Sequence, residues 1–72
     1  MTRLKYERRQ RRQSQHALAK DVGMNQPVVS EIERGIRIPT PRQLERLAAA
    51  FPDIRPADLL KEVIILPWVA AR

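Results

Sequence analysis

The stretch GMNQPVVSEIERG, residues 23 to 35, is bounded by the only two glycines of the chain. Asn25 is a typical helix N-cap, and Pro27 follows in the first turn, where its missing N–H would have no helical partner. Each glycine can adopt the left-handed conformation that ends a helix. The stretch therefore predicts that the preceding helix ends at Gly23 and that a new helix covers residues 26 to about 34.

Similar end signals predict two helices before this stretch. Thr2 can cap a first helix that runs to about Arg12, and Ser14 can cap a second helix over QHALAKDV, residues 15 to 22. In the second helix, apolar side chains four residues apart lie on one face.

Two more helices are predicted after it. Thr40 begins a fourth helix with a T-x-x-Q capping box and a proline in first position. Its apolar stripe consists of Leu44, Leu47, Ala48 and Phe51. Pro56 begins a fifth helix over PADLLKE, in which Leu59 and Leu60 turn inward. We therefore expect a compact all-α domain of five helices over residues 1–62, followed by an apolar segment, residues 63–72.

Charge and size limit the function. A chain of 72 residues has room for one core. Its 14 Lys and Arg against 8 Asp and Glu give a formal charge of +6, which favours a polyanionic partner such as nucleic acid or an anionic membrane. Residues 1–12 hold six of the basic side chains and one acid. A disordered basic arm is the alternative to a first helix there.

The helix over residues 26 to 34 is predicted to have two different faces. On a helical wheel, Val29 and Ile32 point inward, and three residues lie near them: Asn25, Glu33 and Ile36. The outward residues are Pro27, Ser30, Glu31 and Arg34, with Gln26 and Val28 on the flanks. Two helices joined by a tight turn, the second with a compact polar outer face, form a helix-turn-helix.

The segment from Ser14 to Phe51 resembles the Cro/phage-repressor helix-turn-helix family, also called XRE-like, and the match extends roughly from Leu4 to Leu60. The resemblance rests on the joint spacing of SQxxLA at residues 14–19, Gly23, IERG at residues 32–35, and Pro39. It implies five α-helices, double-stranded DNA as the ligand, and a third helix in the major groove. Glu7 and Gln13 stand where the family usually has apolar residues, which predicts a first helix that packs loosely or in a shifted register.

A helix in the major groove reads bases with side chains near its N-terminus and along its outer face. The candidates for base reading are Gln26, Pro27, Val28, Ser30, Glu31 and Arg34. The Gln26 amide can form two bonds to adenine, and Pro27 and Val28 can contact a thymine methyl group. Val28 is equally compatible with the edge of the core. Glu31 can accept from cytosine N4 or pair with a nearby arginine, and Arg34 can reach phosphate or guanine.

Groups that flank the groove are candidates for phosphate contacts. They are Gln15, Asn25, Arg37 and Arg42, and the resemblance implies that the second helix also presents its N-terminus to the DNA backbone. The family's matching arginine and glutamate form an ion pair between helices one and three. The resemblance therefore implies a structural pair of Arg8 and Glu33, with neither residue touching DNA. His16 is expected at the surface.

The C-terminal segment is apolar and reads as a short β-branched strand with no expected partner inside a helical domain. We expect it to form a homodimer through Val63, Ile64, Ile65, Leu66, Trp68 and Val69. Folding back onto helices one and five is the alternative. VIILPWVAA has about half the ~20 residues needed to span a bilayer, so no membrane segment is expected.

The sequence favours a DNA-binding regulator, most simply a repressor, with no cofactor or metal. It contains no Gly-rich phosphate loop, catalytic carboxylate pair or activated nucleophile, so an enzyme is not expected. An antitoxin that neutralises a partner toxin and regulates its own gene is the main alternative. A membrane-surface protein is a weaker one. No apolar run follows the basic N-terminus as in a secretory signal, so we expect a cytoplasmic, nucleoid-associated protein, encoded by a prokaryote or a phage.

Overall fold

Five α-helices pack around one core in the computed structural model, which describes residues 1–64. They are α1 (Arg3–Gln10), α2 (Gln15–Val22), α3 (Gln26–Glu33), α4 (Pro41–Ala50) and α5 (Pro56–Leu59). Residues 1–64 contain no strand, only one isolated antiparallel bridge. The predicted all-α architecture is therefore confirmed. No helix in this part of the chain is long and apolar enough to cross a membrane.

The core takes side chains from all five helices. Its most deeply buried apolar members, each at most 1% exposed, are Leu4, Leu18, Val29, Ile32, Leu47, Phe51 and Leu59. Helix α2 packs against both α3 and α4, while α5 packs against α1 and α4. The helix-turn-helix of α2 and α3 is therefore supported from behind by the remaining three helices.

The side-chain caps predicted at Ser14 and Thr40 are present, whereas the side chain of Asn25 makes no capping hydrogen bond. Ser14 Oγ accepts a hydrogen bond from the Ala17 amide at 3.0 Å. Thr40 Oγ1 accepts from the Gln43 amide at 3.2 Å, and Gln43 Oε1 accepts from the Thr40 amide at 3.0 Å. This reciprocal pair satisfies two amides that have no partner within the helix, so the capping box at the start of α4 is confirmed.

Both glycines end their helices in the left-handed conformation, with φ of 66° at Gly23 and 73° at Gly35. Beyond Gly23, the Met24 amide donates to the Ala19 carbonyl at 2.9 Å, which is the closing bond of a Schellman motif. The same bond follows Gly35, where the Ile36 amide donates to the Glu31 carbonyl at 2.9 Å. The tight α2–α3 turn thus has the backbone chemistry that the sequence predicted.

Two helices are shorter than predicted. Helix α1 ends at Gln10 and not near Arg12, which adopts a left-handed φ of 53° and turns the chain toward α2. Helix α5 ends at Leu59, because the residues after it leave the helix to pair with the N-terminus. The Arg3 amide donates to the Lys61 carbonyl at 2.7 Å.

The start of the C-terminal segment pairs with the backbone of the N-terminal residues. The expectation that this segment has no hydrogen-bonding partner within the domain is therefore wrong. Thr2 and Glu62 form an antiparallel bridge, and the Val63 amide donates to the Met1 carbonyl at 2.7 Å. The N-terminal residues before α1 are extended and expose the backbone groups that this pairing uses. Ile65, Leu66, Trp68 and Val69 lie outside the described residues, so their predicted role in a dimer stays a prediction.

Helix α1 is well packed, contrary to the looseness predicted from Glu7 and Gln13. Leu4 is fully buried, which also contradicts the alternative of a disordered basic arm. Glu7 is accommodated by Arg3 and Arg11, at 2.7 and 2.8 Å from its carboxylate oxygens. Gln13 Nε2 donates to Asp21 Oδ2 at 2.8 Å. Polar partners therefore replace the apolar contacts expected at these two positions.

Candidate nucleic-acid interface

Helix α3 has the two faces that the wheel predicted. Val29, Ile32 and Glu33 are at most 1% exposed and fix the helix to the core. The outward set contains exposed Gln26, Pro27 and Arg34 and half-buried Ser30 and Glu31. The outer face is therefore short, polar and rigidly supported.

The wheel was wrong about two residues that it placed near the inward face. Asn25 is exposed, because it is the N-cap and lies outside the helical turn that the wheel assumes. Ile36 is 65% exposed, because the chain leaves the helix at Gly35 before reaching it. Val28 is half-buried and packs against the core, as its core-edge interpretation requires. Any contact between Val28 and a thymine methyl group stays a prediction.

The N-terminus of α3 keeps a polar group available. Asn25 is the N-cap through its backbone, since its carbonyl accepts from the Val29 amide at 3.1 Å. Within residues 1–64 its side chain makes no capping hydrogen bond, and the residue is exposed. Its carboxamide is thus available to an external acceptor at the turn between α2 and α3.

Glu31 on the outer face lies beside Arg37, which belongs to the loop after α3. Arg37 Nε is 3.4 Å from Glu31 Oε2, and Arg37 Nη2 is 3.5 Å from Glu31 Oε1. This is the pairing with a nearby arginine that the sequence left open. Neither residue is buried, so both can still contact a ligand.

Arg8 and Glu33 form a bidentate ion pair beneath the interface. Arg8 Nε is 2.6 Å from Glu33 Oε2, and Arg8 Nη2 is 3.1 Å from Glu33 Oε1. Arg8 Nη1 also donates to the Gln13 carbonyl at 2.6 Å. Within the described residues, every buried side-chain nitrogen or oxygen has a hydrogen-bond partner. The structure thus shows the pair between α1 and α3 that the resemblance implied.

The sequence did not predict that Gln15 and Thr2 also contact Glu33. Gln15 Nε2 donates to Glu33 Oε1 at 3.0 Å, so the first residue of α2 joins the pair. Thr2 Oγ1 donates to the Glu33 carbonyl at 2.8 Å. Gln15 is half-buried, whereas the other three flanking candidates, Asn25, Arg37 and Arg42, are exposed. Gln15 therefore has a structural role besides any contact with phosphate.

The positive charge of α1 is partly neutralised inside the protein. Burial raises the pKa of Glu7, but hydrogen bonds from Arg11 and Arg3 outweigh it and hold the pKa of this carboxyl below its usual value. Arg11 also lies over the Phe51 ring, 4.6 Å from its centroid, and 3.3 Å from Asp53. Much of the basic charge predicted near the N-terminus is therefore engaged within the fold.

His16 and the predicted dimer residues are the other candidates from the sequence. His16 is exposed in the first turn of α2, as expected. Residues 1–64 hold no group of His, Cys, Asp and Glu arranged to bind a metal ion. Of the predicted dimer residues, Val63 is half-buried and Ile64 is 85% exposed.

Comparison with known proteins agrees with this geometry. The model of a family described as helix-turn-helix matches residues 4–59, which cover the five helices except for Arg3, the first residue of α1. No curated protein and no solved structure gives a significant match to the chain.

Proposed function

The chain belongs to the helix-turn-helix family of DNA-binding regulators, and we propose that it is a sequence-specific regulator that reads the major groove with α3. Its simplest action is repression, by occupying a promoter in the cytoplasm. The observation that carries this proposal is the outer face of α3, which is polar and accessible while its inner face is almost completely buried. A helix held in this way can enter a groove without reorganising the protein.

Base reading is assigned to the outward side chains of α3. Gln26 lies at the first position of the helix and is exposed, so its amide is suited to pair with N6 and N7 of adenine. Pro27 offers apolar contact next to it. Ser30 and Glu31 lie farther along the face, and exposed Arg34 at its end is suited to phosphate or guanine.

Phosphate binding is assigned to groups on either side of α3. Asn25 and Gln15 lie at the N-termini of α3 and α2, where backbone N–H groups also favour an anion. Arg37 lies in the loop after α3, and Arg42 is exposed in the first turn of α4. These contacts position the protein on the duplex but carry no direct sequence information.

Selection of bound duplexes from random DNA tests the proposal. We expect the parent protein to enrich a defined site, and Gln26→Ala to lose preference at one or two base pairs, at a cost of about 1–3 kcal/mol in discrimination. Arg42→Ala is the matched control, because it removes a proposed phosphate contact and should keep the same site. Failure of the parent to enrich any site would overturn the proposed function.

We also propose a homodimer formed through the C-terminal segment. Ile64 is 85% exposed at the end of the described chain, and apolar residues continue beyond it. A two-fold dimer would place two copies of α3 on half-sites about one helical turn apart. Deleting residues 65–72 keeps the Thr2–Glu62 bridge and should give a monomer by light scattering. A dimer that persists after the deletion would contradict this assignment.

An antitoxin role is the second candidate, and exposed apolar side chains outside the outer face of α3 favour it. Ile36, Ile38 and Ile64 are 65%, 87% and 85% exposed. A toxin that binds these side chains should copurify with the parent protein when both genes are expressed together. Ile38→Ser should release it while leaving DNA binding unchanged. Copurification that is unaffected by changes at all three residues would contradict this surface.

A further inference from the structure

Glu31 is the acidic residue of the outward face of α3, and its position there needs an explanation. A carboxylate that approaches a phosphate-lined groove is repelled unless a positive group or a hydrogen-bond donor compensates for it. The structure supplies a positive group, because the Arg37 guanidinium lies 3.4 and 3.5 Å from the two carboxylate oxygens.

Arg37 is attached to Glu31 through the backbone as well as through the side chain. The Glu31 carbonyl accepts from the Ile36 amide at 2.9 Å and from the Arg37 amide at 3.3 Å. The left-handed Gly35 makes this return of the chain possible. Helix α3 and the following loop therefore place the two charged groups together by a fixed local fold.

The pair contributes little to stability. The Arg37 and Glu31 side chains are 47% and 33% exposed, and both contact distances are long for charged hydrogen bonds. Glu33 lies only two residues farther along α3, and its pair with Arg8 of α1 has the short and buried geometry of a structural pair. The Glu31–Arg37 pair therefore fits a role at the surface, where a ligand can share both groups.

Both groups retain capacity for such a ligand. Arg37 donates to Glu31 through Nε–H and one N–H of Nη2, which leaves three N–H groups of the guanidinium for a phosphate. The carboxylate has about four acceptor sites and uses two of them on Arg37. Its remaining lone pairs can accept from an exocyclic amino group such as cytosine N4, which is a donor in the major groove.

We propose that Arg37 is a positioning residue for Glu31, and that the pair as a unit sets the preference for an amino-bearing base, cytosine, at one base pair. Arg37 neutralises the carboxylate, so that it can enter the groove, and holds it in one orientation. This inference rests on the proposed function and assigns Arg37 a part in specificity, beyond a uniform contact with phosphate.

Parallel site selections with Glu31→Ala, Arg37→Ala, Arg37→Lys and Arg42→Ala test this assignment. We expect Glu31→Ala and Arg37→Ala to lose about tenfold discrimination at the same base pair, and the double variant to lose no more than either one. Arg37→Lys keeps the charge without the planar fork and should only partly restore the preference. Arg42→Ala should weaken binding to all sequences alike.

The possible outcomes separate this inference from the function on which it rests. If the parent and Arg37→Ala enrich the same site with equal discrimination at every base pair, Arg37 does not position Glu31 and the inference is wrong. Loss of preference at a different base pair in the two variants would also overturn it. A parent that enriches no site overturns the proposed function and this inference with it. Thermal unfolding should show all five variants folded, including the double variant Glu31→Ala/Arg37→Ala, because none of Glu31, Arg37 and Arg42 is buried.

Discussion

Replacing Glu33 with Ala is expected to destabilise the whole domain without removing a direct DNA contact. The Glu33 side chain is 0% exposed, and its carboxylate accepts two hydrogen bonds from Arg8 and one from Gln15. The substitution leaves the Arg8 guanidinium, itself only 10% exposed, with the Gln13 carbonyl as its remaining partner. The substitution therefore leaves a buried charge without a counter-charge, which lowers the free energy of unfolding.

The expected loss is about 3–5 kcal/mol, the range for removing one partner of a buried ion pair. A domain of 72 residues has a total stability of about 4–11 kcal/mol, from about 0.05–0.15 kcal/mol per residue. The variant therefore loses a large share of its stability. Removing both charges with Arg8→Met and Glu33→Leu should be less damaging than Glu33→Ala alone, because no unpaired charge stays buried.

Urea and thermal unfolding followed by circular dichroism measure these differences. The Glu33→Ala protein should unfold at a much lower urea concentration and temperature than the parent, and the double variant should lie between them. Glu31→Ala is a matched control on the same helix, since it removes a carboxylate whose side chain is 33% exposed, whereas the Glu33 side chain is 0% exposed. An unchanged midpoint in Glu33→Ala, or a double variant less stable than Glu33→Ala, would refute the reasoning.

Three further changes are expected to have separable effects. Burial raises the pKa of Glu7, but hydrogen bonds from Arg11 and Arg3 outweigh this effect and lower it. The ionised carboxylate therefore stabilises the fold fully above the unfolded pKa of about 4.3. This stabilisation is lost as the pH falls through the lower pKa of the folded state. Glu7→Gln should therefore cost about 0.5–1 kcal/mol near neutral pH and nothing in acid; a thermal-midpoint difference that is constant with pH would contradict this. Thr40→Ala should lower the free energy of unfolding by about 1 kcal/mol in urea titrations, whereas Thr40→Ser should not. Arg42→Ala should reduce the slope of log affinity against log salt by about 0.9, and an unchanged slope would exclude a phosphate contact.

Most of the fold could be predicted because helix ends depend on local chemistry. Caps at Ser14 and Thr40 and the left-handed glycines act within a few residues, so the sequence alone locates them. The end of α5 could not be predicted in this way. It depends on the hydrogen bond from the Arg3 amide to the Lys61 carbonyl, between residues far apart in the chain, and helical periodicity carries no information about such a pairing.

The faces of α3 in the candidate site could be predicted from the sequence, but one contact beneath it was not predicted. A helical wheel identifies the two faces of α3, because a helix with one buried face must carry its apolar residues at a period of about 3.6 residues. The contact of Gln15 with Glu33 was missed, since a glutamine at the start of α2 was assigned only to phosphate. A signal for it existed. A buried carboxylate has about four acceptor sites and an arginine fork fills two, so a further donor was to be expected near Glu33.

Glu33 also connects the folding of the domain to the geometry of the proposed interface. Its carboxylate accepts from Arg8 in α1 and from Gln15 in α2, while it belongs to α3, so one buried group joins three helices. The Gln15 amide nitrogen has two hydrogens, and the bond to Glu33 uses one and orients the other. If that second hydrogen binds a phosphate, the core ion pair fixes the distance between a backbone contact on α2 and the bases read by α3. Affinity and stability are then coupled through Glu33, and variants at Arg8 would lower DNA affinity even in solutions where they remain fully folded.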